Sequence, residues 1–154
     1  MLRVSLAVLH LIALGLGLGA VLARGTALRE APSAGALRRA FRADTVWGIA
    51  AGLWIVTGLW RLLAGTEKVP DYYYSNVFFH AKMGLLVLIL ALEVWPMLTL
   101  IRWRRALGRG GQAEDVQAAA PARRIATISH VQALLVVLMI VAASAMARGY
   151  GARG

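Results

Sequence analysis

Four long apolar runs fill most of this chain: Val4–Ala23, Thr45–Leu63, Val77–Ile101 and Ile125–Ala147. Each is about the length a helix needs to cross a bilayer, roughly 17–25 residues. Lipid offers no partner to a backbone amide, so such runs must satisfy their hydrogen bonds internally, as helices. The pattern predicts an all-α fold: a four-transmembrane-helix bundle running up-down-up-down, in a single integral membrane domain covering residues 1–154. The chain is 60% hydrophobic over 154 residues, which leaves too little polar surface for a soluble domain of this size.

Net charge is +10, and its placement decides what it means. Arg24, Arg29, Arg38, Arg39 and Arg42 fall between the first two runs, and Arg102, Arg104, Arg105, Arg109, Arg123 and Arg124 between the last two. The middle connection holds Lys68 against Glu67 and Asp71. Under the positive-inside rule both Arg-rich loops face the cytoplasm, with the termini and the middle connection on the other side. Anionic lipid headgroups are the expected partners of these arginines; nucleic acid is not expected. Cysteine is absent, which removes disulfides, thiolate chemistry, iron–sulfur clusters and covalent haem attachment. The first run has some features of a cleaved signal peptide, with Arg3 ahead of it and Gly19–Ala23 at its end, but it exceeds the usual apolar core of about 7–15 residues. It is read as a retained helix.

Several local features carry expectations. Gly15 and Gly19, and Gly48 and Gly52, form small-xxx-small pairs suited to close helix packing or to ligand clearance. Leu37–Arg42 reads as a short amphipathic helix lying at the interface. Gly108–Pro121 reads as a flexible linker, and Val69–Asn76 as an aromatic belt or a lid. Trp60 and Trp103 fit interfacial anchors, whereas Trp54 and Trp95 lie deeper. Pro96 frees backbone carbonyls one turn earlier in its helix and predicts a kink.

The chemistry-bearing residues are those placed in oil at a cost: His10, Lys82, Glu93 and His130. A charged side chain at the bilayer centre costs at least ~2.5–3.5 kcal/mol on insertion scales, so such groups face the bundle interior and mark working sites. His10, His80 and Lys82 fall at comparable depth, and Glu93 and His130 in the cytoplasmic half. At about 100° per residue, Lys82 and Glu93 share one helical stripe with Leu86 and Ile89, and His80 points away from it. Eleven residues separate Lys82 from Glu93, about 16 Å along a helix. Lys82 is expected to meet His10, a ligand carboxylate or a backbone carbonyl; Glu93 is expected to meet His130, Arg61 or Thr99. A bundle interior of this kind suits haem b, with His10 as axial ligand, Gly17 clearing space beside it, and His80 and His130 as alternative ligands.

The stretches Leu9-His10-Leu11, Arg42-Ala43-Asp44 leading to Gly48, Gly58-Leu59-Trp60-Arg61, Lys68, Tyr72-Tyr73, Asn76, Phe79–Gly84 and Glu93–Trp103 resemble an uncharacterised family of bacterial four-helix inner-membrane proteins, a domain of unknown function. The chain is more distantly similar to HemJ-type protoporphyrinogen oxidases and CopD-like membrane domains, through His10-Leu11-Ile12 and His80-Ala81-Lys82. The first cytoplasmic loop lacks the HemJ-like pattern, and the Asp44, Arg61 and Glu93-x-x-Pro96 positions belong to the pattern of the uncharacterised family. What the HemJ resemblance implies is a b-type haem in a bacterial inner membrane, with His10 and Lys82 essential. On that reading Lys82 and Glu93 are the candidate catalytic residues, and His10, Lys82, Gly17 and Arg61 bind the cofactor. Electrons then pass to a quinone or a redox partner protein, and Glu93 with His130 relays protons. A second copy of the chain is a further candidate partner. The alternatives are a small transporter, or a structural subunit whose polar residues only join helices.

Overall fold

A computed structural model describes residues 1–30, 32–63, 76–113 and 119–151. Four helices follow in order: α1 (Leu2–Ala27), α2 (Ala34–Leu63), α3 (Val77–Gly108) and α4 (Ala119–Ala147). All four are long and apolar enough to span a membrane. Residues 69–75 of the segment expected as an aromatic belt or a lid, and linker residues 114–118, lie outside the described residues.

Three helices overrun their apolar segments toward the Arg-rich end, and α4 begins there before its own. The reason is that the buried stripe continues past the hydrophobic window. Leu37 and Ala40 are fully buried while Arg38, Arg39 and Arg42 are exposed. Leu37–Arg42 is therefore the first part of α2, not a separate interfacial helix. The Ser33 hydroxyl caps it by accepting the Ala36 N–H (3.1 Å), as N-cap serines do. Asn76 caps α3 in the same way, its side chain accepting the Phe78 N–H at 2.9 Å. α3 and α4 both end in a Schellman turn. Gly110 (φ 91°) and Gly149 (φ 87°) occupy the left-handed position, with Gly111 N–H donating to Ala106 O and Tyr150 N–H to Ala145 O (both 3.1 Å).

The inward face recurs every three or four residues, the period of an α-helix. On α1 it reads His10, Ala13, Gly17, Val21, Arg24 and Leu28, and on α2 Leu37, Ala40, Ala43, Trp47, Ala50, Trp54 and Thr57. Helix α1 packs along both α2 and α4, and α3 packs along α4, whereas α2 and α3 barely touch. The interior is layered. One apolar layer holds Val21, Trp47, Ile89 and Val136, and a second, toward the Arg-rich end, holds Leu28, Leu37, Leu100 and Ile125.

Two packing expectations change. Gly15, Gly19, Gly48 and Gly52 have nothing within 4 Å of a built Cβ and face outward. The close approaches belong to other glycines: Gly17 against Trp47, Gly58 against His10 and Gly25 against His130. Trp103 is buried in the second apolar layer rather than anchored at a boundary, because α3 continues inside the bundle to Gly108. Trp60 is exposed near the end of α2. Helix α3 runs through Pro96 unbroken.

A Cβ on Gly25 would lie 2.7 Å from His130 Cε1, an overpacking worth about 1–3 kcal/mol. Gly25→Ala is expected to lower the thermal unfolding midpoint in detergent, and Gly15→Ala to leave it within error. Equal behaviour of the two would contradict this packing.

Candidate functional site

The polar residues of the interior form two groups at different depths, separated by the first apolar layer. Nearer the chain termini, His10 of α1 sits against α2. The Trp54 indole N–H donates to His10 Nε2 at 2.8 Å, and His10 Nδ1 lies 2.9 Å from Thr57 Oγ1. Indole nitrogen only donates, so Nε2 is the acceptor and Nδ1 carries the proton. The Thr57 hydroxyl donates to Leu53 O at 2.7 Å. The imidazole is thus held neutral and oriented, with both nitrogens engaged.

Beside this cluster lies a cavity of about 460 Å³. All four helices line it: His10 and Leu14 from α1, Ile55 and Arg61 from α2, Lys82 and Leu86 from α3, and Met139 and Ser144 from α4 among others. Among the described residues its walls are mostly aliphatic, with Phe79 and Trp54 as aromatic side chains and Arg61 and Lys82 as cationic ones. The size falls within the usual range for small-molecule sites, about 300–1,000 Å³, and so does the pattern of a few polar groups on an apolar lining. His10 and Lys82, matched in depth by sequence, meet at one cavity. His80 is exposed, and its ring lies edge-on to Phe79.

The second group centres on Arg24, about 21 Å further along α1 from His10 at 1.5 Å per residue. The sequence reading placed Arg24 in a basic loop; the structure buries it completely. Its Nε donates to Ser129 Oγ (3.0 Å). Nη1 donates to Asp44 Oδ1 (2.9 Å) and Glu93 Oε1 (2.6 Å). Nη2 donates to Glu93 Oε2 and Gln132 Oε1, both at 2.9 Å. All five guanidinium donors are therefore used. Gln132 Nε2 donates in turn to Glu93 Oε2 (2.8 Å) and Ile89 O (3.2 Å). Asp44 spends its second oxygen on Arg104 at 2.8 Å, and Arg104 also donates to Phe41 O. Two arginines and two carboxylates balance in charge, and every helix contributes a member.

This network overturns the expected partners of Glu93. Its bonds go to Arg24 and Gln132, because the Arg24 fork donates to both oxygens of its carboxylate. Thr99 bonds to Trp95 O, Arg61 lines the cavity, and His130 lies 2.6 Å from Ala126 O, against Gly25. The geometry does not join Glu93 and His130 in a relay. Gly17 clears space for the Trp47 ring rather than for the cavity, whose lining does not include it. Arg24 was missed because it lies one residue beyond the apolar run. Its phase was the available signal, since it continues the stripe of His10, Gly17 and Val21.

These features define a four-helix integral membrane protein with a buried ion network and a membrane-level cavity. Residues 2–151 match the family described as Predicted membrane protein (DUF2214), and the chain belongs to that family. No curated protein and no solved structure matches the chain, so similarity to HemJ-type or CopD-like proteins receives no support. Among the described residues, no group of three or more histidine, cysteine, aspartate or glutamate side chains is placed to hold a metal ion.

Removing one partner of a buried ion pair costs about 3–5 kcal/mol, since the other charge is left uncompensated. Arg24→Met is expected to destabilise the bundle by that amount in detergent melts. Arg24→Met combined with Glu93→Gln, which restores charge balance, is expected to recover part of the loss.

Proposed function

We propose that the protein binds a lipophilic carboxylic acid within the bilayer, in the cavity between its four helices. Porphyrins and haem b fall in this class through their propionates. The observation that carries the reading is that Arg61 and Lys82 both line a cavity whose walls are mostly apolar. The apolar body of such a ligand gains from the walls, at roughly 25 cal/mol per Å² buried. A carboxylate gains charge-assisted bonds, bidentate from the guanidinium and point-like from the ammonium. Under the positive-inside rule the cavity end faces away from the cytoplasm of a bacterial inner membrane.

The engagement of both His10 nitrogens supports a ligand held by its carboxylates over one held through iron. His10 offers no lone pair as placed: Nε2 accepts from Trp54 and Nδ1 is turned to Thr57. His10 positions Trp54, whose indole forms part of the cavity wall. The path reading of a transporter meets a break between the cavity and the Arg24 network, where Val21, Trp47, Ile89 and Val136 pack together.

Purified protein in lipid nanodiscs, titrated with protoporphyrin IX and with a long-chain fatty acid, tests the reading through quenching of tryptophan fluorescence. Saturable binding is expected, weakened about tenfold in Lys82→Met or Arg61→Met, the loss of one charged hydrogen bond at ~1.5–3 kcal/mol. His80→Ala is expected to bind as the parent does. No saturable binding of either probe, or unchanged affinity in both cation variants, would reject the proposal. A b-type reduced-minus-oxidised spectrum that disappears in His10→Ala would instead establish iron ligation.

A further inference from the structure

We infer that the outer groove between α3 and α4 seats one anionic phospholipid at the Arg-rich end, its phosphate held by Arg102 and Arg124 beside Trp95. The seat is independent of what the cavity binds, and none of its residues lines the cavity.

Helices α3 and α4 are antiparallel neighbours. Gln132 of α4 bonds to Ile89 O and to Glu93, and Arg124, earlier on α4, meets Trp95, later on α3. Two lines of residues spaced by seven follow this seam: Leu88, Trp95 and Arg102 on α3, and Arg124, Val131 and Leu138 on α4. Seven residues return a helix to within about 20°, so each line keeps one direction. Leu88, Val131 and Leu138 are exposed, as are Arg102 and Arg124, which places both lines on the outer side. Trp95 packs against the second apolar layer. The Arg124 guanidinium lies over its ring, 4.8 Å from the centre, and joins the two lines at that point.

The groove is ordered as a phospholipid is. Arg102 is the first residue past the apolar run of α3, and Arg124 the last before that of α4, so both stand at headgroup level. A Cα–Cβ bond tilts toward the N-terminus of its own helix. In antiparallel helices Arg102 and Arg124 therefore set out toward each other along the groove. Contact with an aromatic face uses the charge of a guanidinium and leaves its in-plane N–H donors for an oxyanion, which an arginine fork grips bidentately. Arg24 and Arg104 spend their charge on Asp44, and Arg39 on Glu30. Among the described residues no hydrogen bond or ion pair engages Arg102 or Arg124. Deeper in the membrane the groove continues as Leu88, Val131 and Leu138, an aliphatic track for an acyl chain. A zwitterionic headgroup would bring its own cation against the two arginines; an anionic one does not.

Native mass spectrometry of the full chain, released from nanodiscs of equal phosphatidylglycerol and phosphatidylcholine, tests the seat. One retained phosphatidylglycerol per chain is expected; equal retention of the two lipids would overturn the inference. Arg102→Gln with Arg124→Gln is expected to lower the retained fraction about tenfold, whereas Arg38→Gln with Arg42→Gln, which removes the same charge from the exposed face of α2, is expected to leave it within about twofold. Equal losses in the two double variants would mean diffuse attraction to the basic end and would overturn the seat. Should the first double variant fail to fold, Arg124→Lys keeps the charge and removes the fork, with an expected loss of about threefold; unchanged retention there would count against the inference in the same way. Glycerol phosphate in millimolar excess is expected not to displace the lipid. Displacement would show a site for free phosphate and overturn the lipid assignment.

Discussion

A single guanidinium holds this bundle in register. Arg24 uses all five of its N–H donors, and its acceptors come from the other three helices: Asp44 on α2, Glu93 on α3, and Ser129 and Gln132 on α4. An ion buried in this way is tolerable only when its partners are complete. Any slip of one helix against α1 leaves at least one donor or carboxylate without its bond. Apolar helices in lipid lack a hydrophobic force pressing them together, so polar contacts of this kind weigh more in fixing their relative position. The packing above and below the network, in two aliphatic layers, follows from that fixed register.

The network also divides the molecule by role. In the half that contains it, Asp44 carries the tie from Arg24 of α1 across to Arg104 of α3. In the other half the interior widens into the cavity, lined by all four helices. The two costly residues of α3 accordingly do different work. Glu93 bonds within the ion network, while Lys82, about 16 Å away along the same helix, lines the cavity. The histidines divide similarly. His10 orients an indole at the cavity, His130 packs into a notch made by Gly25, and His80 faces outward.

The sequence by itself determined the four spans, their alternation and the inward position of Lys82 and Glu93, because length and hydropathy are properties of each segment alone and helical phase is a local rule. It also placed His10 and Lys82 at matching depth. Segment-level reasoning fails where a residue's meaning depends on its neighbours across the bundle. Arg24 reads as a loop cation until Asp44 and Glu93 are seen beside it, and Leu37–Arg42 reads as interfacial until α3 and α4 are seen to continue alongside. The outward turn of Gly15 and Gly19, and the inward turn of Gly17 and Gly25, likewise follow from which neighbour each meets. Which carboxylate an arginine takes and which glycine a ring fills are decided by the packing of four helices at once, and only the tertiary structure contains that information.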